Sequence, residues 1–190
     1  MLTRIQSRFQ MPPARRLRER AIEYAVHRWP VAALAVPRSG RCQCERGDCA
    51  EPHLLDGATI VDPADAEETW ADHGWGIALV TSRFDVVDLP AQYGAPLHQR
   101  LLTRCPTATA PNDRRWHFVM EPGSIEASLL TTASGVVHSG PDDWIPASPT
   151  RTVATGRIGW VVHPMHAQWQ PYRRADAVDA LFGWLTSPDS

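Results

Sequence analysis

Apolar positions recur along this chain with two different periods. Leu17, Ala21, Ile22, Ala25 and Val26 repeat at helical intervals from Ala14 onward, which predicts one amphipathic helix. That helix must stop before Trp29 and Pro30, because the residue preceding a proline resists helical angles. Residues 31–36 form a short apolar run between prolines and predict a buried strand. A second helix is predicted from Asp62, which serves as N-cap with Pro63 in the first turn, to about Asp72. Residues 76–81 and 84–89 read as two strands split by Ser82 and Arg83. Further expectations are a helix at 97–102, a strand at 116–120, a short helix at 125–130, strands at 136–138, 144–147 and 158–162, and a helix at 176–185. This order, with its late cluster of strands, predicts an α+β domain with a mostly antiparallel sheet.

Composition narrows the class without redirecting it. Hydrophobic residues make up 43% and charged residues 21%, the balance of a globular chain rather than a disordered one. No apolar run approaches the ~18 residues that a membrane span requires. The expected localisation is cytoplasmic. Residues 1–13 read as a basic leader and 14–190 as a single domain carrying an insertion at 37–57. The net charge is −2 and every one of the 19 basic residues is arginine, so no global positive field draws the chain to nucleic acid. The arginines are unevenly placed, however, with seven among the first 28 residues against Glu19 and Glu23.

The insertion holds the densest chemistry. Cys42, Cys44, Cys49 and His53 place four soft or borderline donors in one short segment that also contains Gly47. Tetrahedral zinc needs four such donors, and a glycine-containing loop lets them converge. Cysteines one residue apart bridge each other poorly, so metal is favoured over a disulfide. His53 is the least constrained of the four, with Asp48 or Cys105 as alternatives. No open coordination position is implied, and the expected role of the zinc is structural.

The ordered segments resemble the N-terminal primase-polymerase (prim-pol) domain of bifunctional DNA primase/polymerases, an archaeo-eukaryotic primase-like family, in its short stand-alone form from GC-rich bacteria. The likeness spans roughly residues 18–165. Ala21 to Ala25 with Trp29-Pro30-Val31 resembles the family's first helix and strand, and Gly57 to Thr59 with Asp62-Pro63-Ala64 its second helix entry. Gly76 to Thr81 followed by Phe84 to Asp88 resembles its central hairpin, and Asp143 to Thr150 the strand leading to a proline turn. The resemblance implies an RRM-like fold and nucleotide joining on a template, with Mg or Mn held by carboxylates on neighbouring strands.

Against that pattern the metal site reads as degenerate. The first motif needs two acids two residues apart, and here Asp88 is followed at that distance by Pro90. Trp116 falls where the family has a histidine, and Val137 where it has a further carboxylate. By strand alternation Asp85 and His117 then point away from the cleft that Asp88 faces. One carboxylate holds Mg²⁺ only weakly. The expected protein is of the DNA replication and repair type, inactive or nearly so, and acts by binding nucleic acid, a nucleotide or a protein partner. Single-stranded nucleic acid would meet Arg114, Arg115 and Arg151, with Arg157 flanking the same turn. Two alternatives stand beside it: an active primase/polymerase rebuilt on Asp88 with Asp142 or Asp143, and a zinc-stabilised interaction protein with no nucleic-acid role. Trp116, Trp144 and Trp160 read as core rather than as a base-stacking platform, and His163 and His166 as solvated loop histidines.

Overall fold

A computed structural model describes residues 13–37, 41–44, 49–55 and 59–173. Residues 1–12 of the leader, Gly47 and Asp48 of the insertion, and the helix expected at 176–185 lie outside the described residues. Helix α1 spans Pro13–Val26 and buries Leu17, Ala21, Tyr24 and Ala25, the stripe its periodicity requires. Arg28 takes a left-handed conformation (φ 61°) and turns the chain into Trp29. Strand β1 (Val31–Ala35) follows, then β2 (His53–Leu54) and helix α2 (Pro63–Thr69). The Asp62 carboxylate caps α2 by accepting from the Ala64 N–H at 2.8 Å.

The next two strands depart from the expected hairpin. Strands β3 (Gly76–Val80) and β4 (Asp85–Pro90) do not pair with each other but enter different sheets. Each is buried along nearly its whole length, β3 as a wholly apolar run and β4 with Asp85 and Asp88 among its apolar residues, so each needs neighbours on both sides and cover on both faces. The remaining strands are β5 (Thr107–Ala110), β6 (Arg115–Met120), β7 (Val136–His138), β8 (Trp144–Pro146), β9 (Arg151–Thr152), β10 (Gly156–Arg157) and β11 (Gly159–Val162). One sheet has the order β2-β1-β3-β8, the other β11-β5-β6-β4-β7, and β9 with β10 forms a separate hairpin. All pairings between these strands are antiparallel. The α+β class and the antiparallel sheets are thus as expected.

Where the chain passes between sheets, the two crossings lock together. Thr81, between β3 and β4, donates its hydroxyl near the carbonyls of Gly140 and Asp143 at 3.0 Å each. These belong to the link between β7 and β8, and the backbones of the two links also bond each other (Thr81 N to Asp143 O, Gly140 N to Thr81 O, both 3.0 Å). Strand β4 pairs with β7 while β3 pairs with β8, so both links cross at one place.

A first core joins α1 (Leu17, Tyr24) to Ile77 and Leu79 of β3 and to Val86 and Val119 of β4 and β6. Within it Trp160 donates its indole N–H to the Tyr24 hydroxyl at 2.8 Å, and Tyr24 donates onward to the Ser148 carbonyl at 2.8 Å. Trp29 donates to the Trp169 carbonyl at 3.0 Å and packs against Phe84. Burial raises the Tyr24 phenol well above its usual value, so it stays neutral as a donor. A second core lies on the opposite face of the five-stranded sheet, where Val87, Leu89 and Phe118 meet Leu97 and Leu101.

Helix α3 runs Ala91–Leu101, six residues earlier than its apolar spacing suggests, since Gly94 and Pro96 mask its first turns. Gly94 lies against Trp116, and a Cβ placed there would stand 2.5 Å from the Trp116 Cβ. Gly94→Ala should therefore destabilise the chain by about 1–3 kcal/mol through overpacking. Urea unfolding checks this: a midpoint equal to that of the wild type would mean the helix moves away at no cost.

Candidate functional site

Asp88 is the centre of a polar cluster on the sheet face that carries Val86 and Val119 into the first core. Its register partner in β6 is His117, and Val86, two residues back, is opposite His138 of β7. Antiparallel partners share a face, so Asp88, His117 and His138 all point the same way. Trp116 and Val137 point the other way, into the second core with Leu89 and Phe118. This corrects the expectation that Trp116 and Val137 share the Asp88 cleft while His117 faces away. The physical reason is a frame of one residue: with a period of two, reading the strand from its neighbour inverts every side chain. Asp85 does part from Asp88 as expected, accepting from Ser139 Oγ at 2.6 Å and from the Gly123 N–H at 2.7 Å.

The Asp88 carboxylate, with 12% of its side chain exposed, is surrounded by cationic or potentially cationic groups. Arg115 Nε donates to its Oδ1 at 2.7 Å, and Arg115 Nη2 reaches the carbonyls of Asp88 (3.1 Å) and Ser134 (3.3 Å). His117 Nε2 stands 3.7 Å from Oδ1 and His138 Nε2 3.8 Å from Oδ2, both beyond hydrogen-bond length. The other nitrogen of His138, Nδ1, lies 3.1 Å from Oδ1 of Asp143. Asp143 is itself fixed by the N–H groups of Trp144 (2.8 Å) and Ser139 (3.3 Å). The His138 ring therefore stands between Asp143 and Asp88.

Charge follows from this arrangement. Burial works to raise the Asp88 carboxyl, but His138, His117 and Arg115 together outweigh it and hold the group below the usual carboxylate range. His138 is drawn the opposite way: burial lowers it, and the carboxylates of Asp88 and Asp143 more than restore it, leaving it above an ordinary imidazole. His117 is depressed by burial, with its Nδ1 buried and unpartnered. Asp113, in the turn before β6, is raised by burial and by the nearby Asp88 charge. The result is one ionised carboxylate matched by a guanidinium and an imidazole.

Of the arginines expected to meet nucleic acid, Arg115 is aimed inward at Asp88. Arg114 is exposed in a left-handed turn residue (φ 57°), and Arg151 is exposed at the start of β9. Asp142 lies exposed in the turn, while Asp143 reaches His138 rather than Asp88. His138 is the residue that sequence reading passed over, and Asp143 partners it rather than standing beside Asp88 as a second carboxylate. The alternation of Val136 with His138 was the available signal, once Val136 is matched to Asp88.

The cysteine cluster assembles as expected. Ligand atoms of Cys42, Cys44, Cys49 and His53 all lie within 4.8 Å of one another, the one group of three or more such donors to do so among the described residues. Cys44 Sγ is 3.3 Å from Cys49 Sγ, which is 3.7 Å from His53 Nε2. These spacings are compatible with a zinc site, since donors bound at ~2.0–2.3 Å in a tetrahedron sit this close. The Cys49 thiol is pushed up to about 11 by its bond with Cys44, by burial and by Cys42. Crowded thiols resist ionising together unless a cation joins them. Cys105 is no alternative ligand: it is buried in the second core, with its sulfur 3.6 Å from the carbonyls of Pro106 and Val119.

Comparison with family models, with curated proteins and with solved structures finds no match to this chain. Among the described residues, no helix is long and apolar enough to cross a membrane.

The cluster makes stability depend on pH in a definite direction. A histidine raised in the folded state contributes stability that is complete below its unfolded value, ~6.5, and is lost as pH rises through the folded value. For His138 that loss falls above pH ~6.5. Urea midpoints measured from pH 5.5 to 9 for the wild type and for His138→Gln should converge as pH rises. A difference that stays constant across the range would show that His138 carries no charge in the fold.

Proposed function

We propose that this chain is a prim-pol-like protein of the DNA replication and repair type that binds single-stranded nucleic acid without polymerising nucleotides. The observation that carries the reading is the Arg115–Asp88 ion pair, 2.7 Å long, on a carboxylate flanked by two histidines. Two-metal nucleotidyl transfer needs several anions converging on two cations ~4 Å apart. Here a guanidinium occupies one side of the sole acid on that face of β4, and the second acid, Asp143, stands behind the His138 ring. Arg114 and Arg151, exposed and free of ion pairs among the described residues, supply phosphate contacts. A cytoplasmic location suits a ligand of this kind.

The active-enzyme alternative rests on the same cluster, because His138 links Asp88 to Asp143 and a rearrangement would open a mixed site for Mg or Mn. Primer extension with either ion, run beside gel shifts on single-stranded DNA, separates the readings. The expected outcome is binding without extension. Extension abolished by Asp88→Ala would overturn the proposal in favour of the enzyme. Neither activity would leave a zinc-stabilised interaction protein.

Cys42, Cys44, Cys49 and His53 hold one structural zinc in this reading, because the set closes four positions and leaves none for chemistry. Elemental analysis should find one zinc per chain, and Cys49→Ala should abolish it. Metal removal should lower the melting temperature by on the order of 10 °C, the shift that about 3 kcal/mol produces at this chain length. Zinc-free protein melting at the same temperature as purified protein would end the assignment.

A further inference from the structure

We propose that the β9–β10 hairpin is a two-arginine clamp for the phosphodiester backbone of a single strand, an inference that rests on the nucleic-acid reading above. Arg151 and Arg157 are direct cross-strand partners. Both are exposed. Like charges placed opposite each other on one face, with Cβ atoms ~5 Å apart, disfavour the hairpin rather than support it. Among the described residues neither arginine has an acidic partner, although Arg15, Arg18, Arg20 and Arg115 each do. The pair thus costs the fold something and gains nothing within it. An anion shared between the two guanidiniums reverses that sign, and phosphate matches their planar forks.

The hairpin carrying this pair is held on both sides. Thr152 Oγ1 accepts from the Thr155 N–H at 2.9 Å, and Gly156 supplies the left-handed residue (φ 70°) that closes the turn. Asn112 fastens the tip, donating its N–H to Thr155 O (3.2 Å) and its side-chain amide to Val153 O (3.0 Å). Thr150, just before β9, bridges the Ile77 backbone by accepting at 2.7 Å and donating at 3.1 Å, and accepts from the Ile158 N–H at 2.9 Å. Two repelling guanidiniums are therefore set on a fixed base before any ligand arrives, which lowers the ordering cost of binding. Asn112 belongs to the same turn as Arg114, so a strand lying on the clamp is led toward the turn that opens β6. Contacts of this kind grip phosphate and carry no base information.

The test uses the full chain and a fluorescein-labelled deoxythymidine homopolymer, followed by fluorescence anisotropy across a salt series. Arg151→Ala with Arg157→Ala should weaken binding at least tenfold at low salt. It should also flatten the slope of log affinity against log salt by about 0.7–1.4, the share of one or two phosphates on a single strand. Arg100→Ala, an exposed arginine on α3, should stay within twofold. The melting temperature of the double variant should be unchanged or raised, whereas a structural role would lower it. A double variant that binds with wild-type affinity and slope overturns the clamp and leaves the nucleic-acid reading standing. Wild-type protein that fails to bind the oligonucleotide at low salt overturns the reading, and the clamp with it.

Discussion

Two consecutive strands that are buried on both faces cannot pair as an exposed hairpin, and this chain resolves the conflict by sending them into different sheets. Strand β3 becomes an inner strand of the four-stranded sheet and β4 an inner strand of the five-stranded sheet. The same separation recurs at β7 and β8, and Thr81 joins the two crossings through its hydroxyl and backbone. Everything near Asp88 depends on this crossing, because it brings the β7 edge, and with it His138, alongside β4. The link that crosses back also carries Asp143, which orients the His138 ring.

That placement leaves a carboxylate largely out of water, and a buried charge is tolerated only when matched. Asp88 is matched by contacts from β6 and β7 and by a guanidinium that also holds the Ser134 carbonyl after the 3-10 segment Ala127–Ala133. The arrangement is self-consistent electrostatically, which is why it reads as closed. A site prepared for divalent cations would surround the acid with further acids and leave its oxygens open to the ion. Here the nearest groups are those that a cation would have to displace.

How much of this was legible follows from how local each feature is. Helix α1 and the Asp62 cap depend on residues within a few positions of one another, so their patterns survive in the sequence. The cysteine cluster is legible for the same reason, its donors falling between Cys42 and His53. Strand β5, with the sequence Thr-Ala-Thr-Ala, carries too little apolar contrast to announce itself, and β9 and β10 are short enough to read as one turn. The Asp88 cluster is the instructive failure. Its members come from three strands whose registers must all be known, and an error of one residue at Trp116 exchanged a core tryptophan for a polar histidine. The same slip at Val137 hid His138.

The cysteine loop also acts on the sheet beside it. Gln43, between two of the clustered cysteines, accepts from the Val36 N–H at 3.1 Å and donates to the Gly74 carbonyl at 3.1 Å, tying the loop to the end of β1 and the approach to β3. His53, the fourth member of the cluster, is itself a residue of β2 and lies opposite Ala35. Strand β2 is two residues long and pairs along the free side of β1, the strand edge that would otherwise offer unpaired amides to another chain. So short a strand has little pairing energy of its own. A metal gripping its first residue from outside the sheet, while Gln43 anchors the other end of the loop, would hold that edge covered by coordination rather than by length.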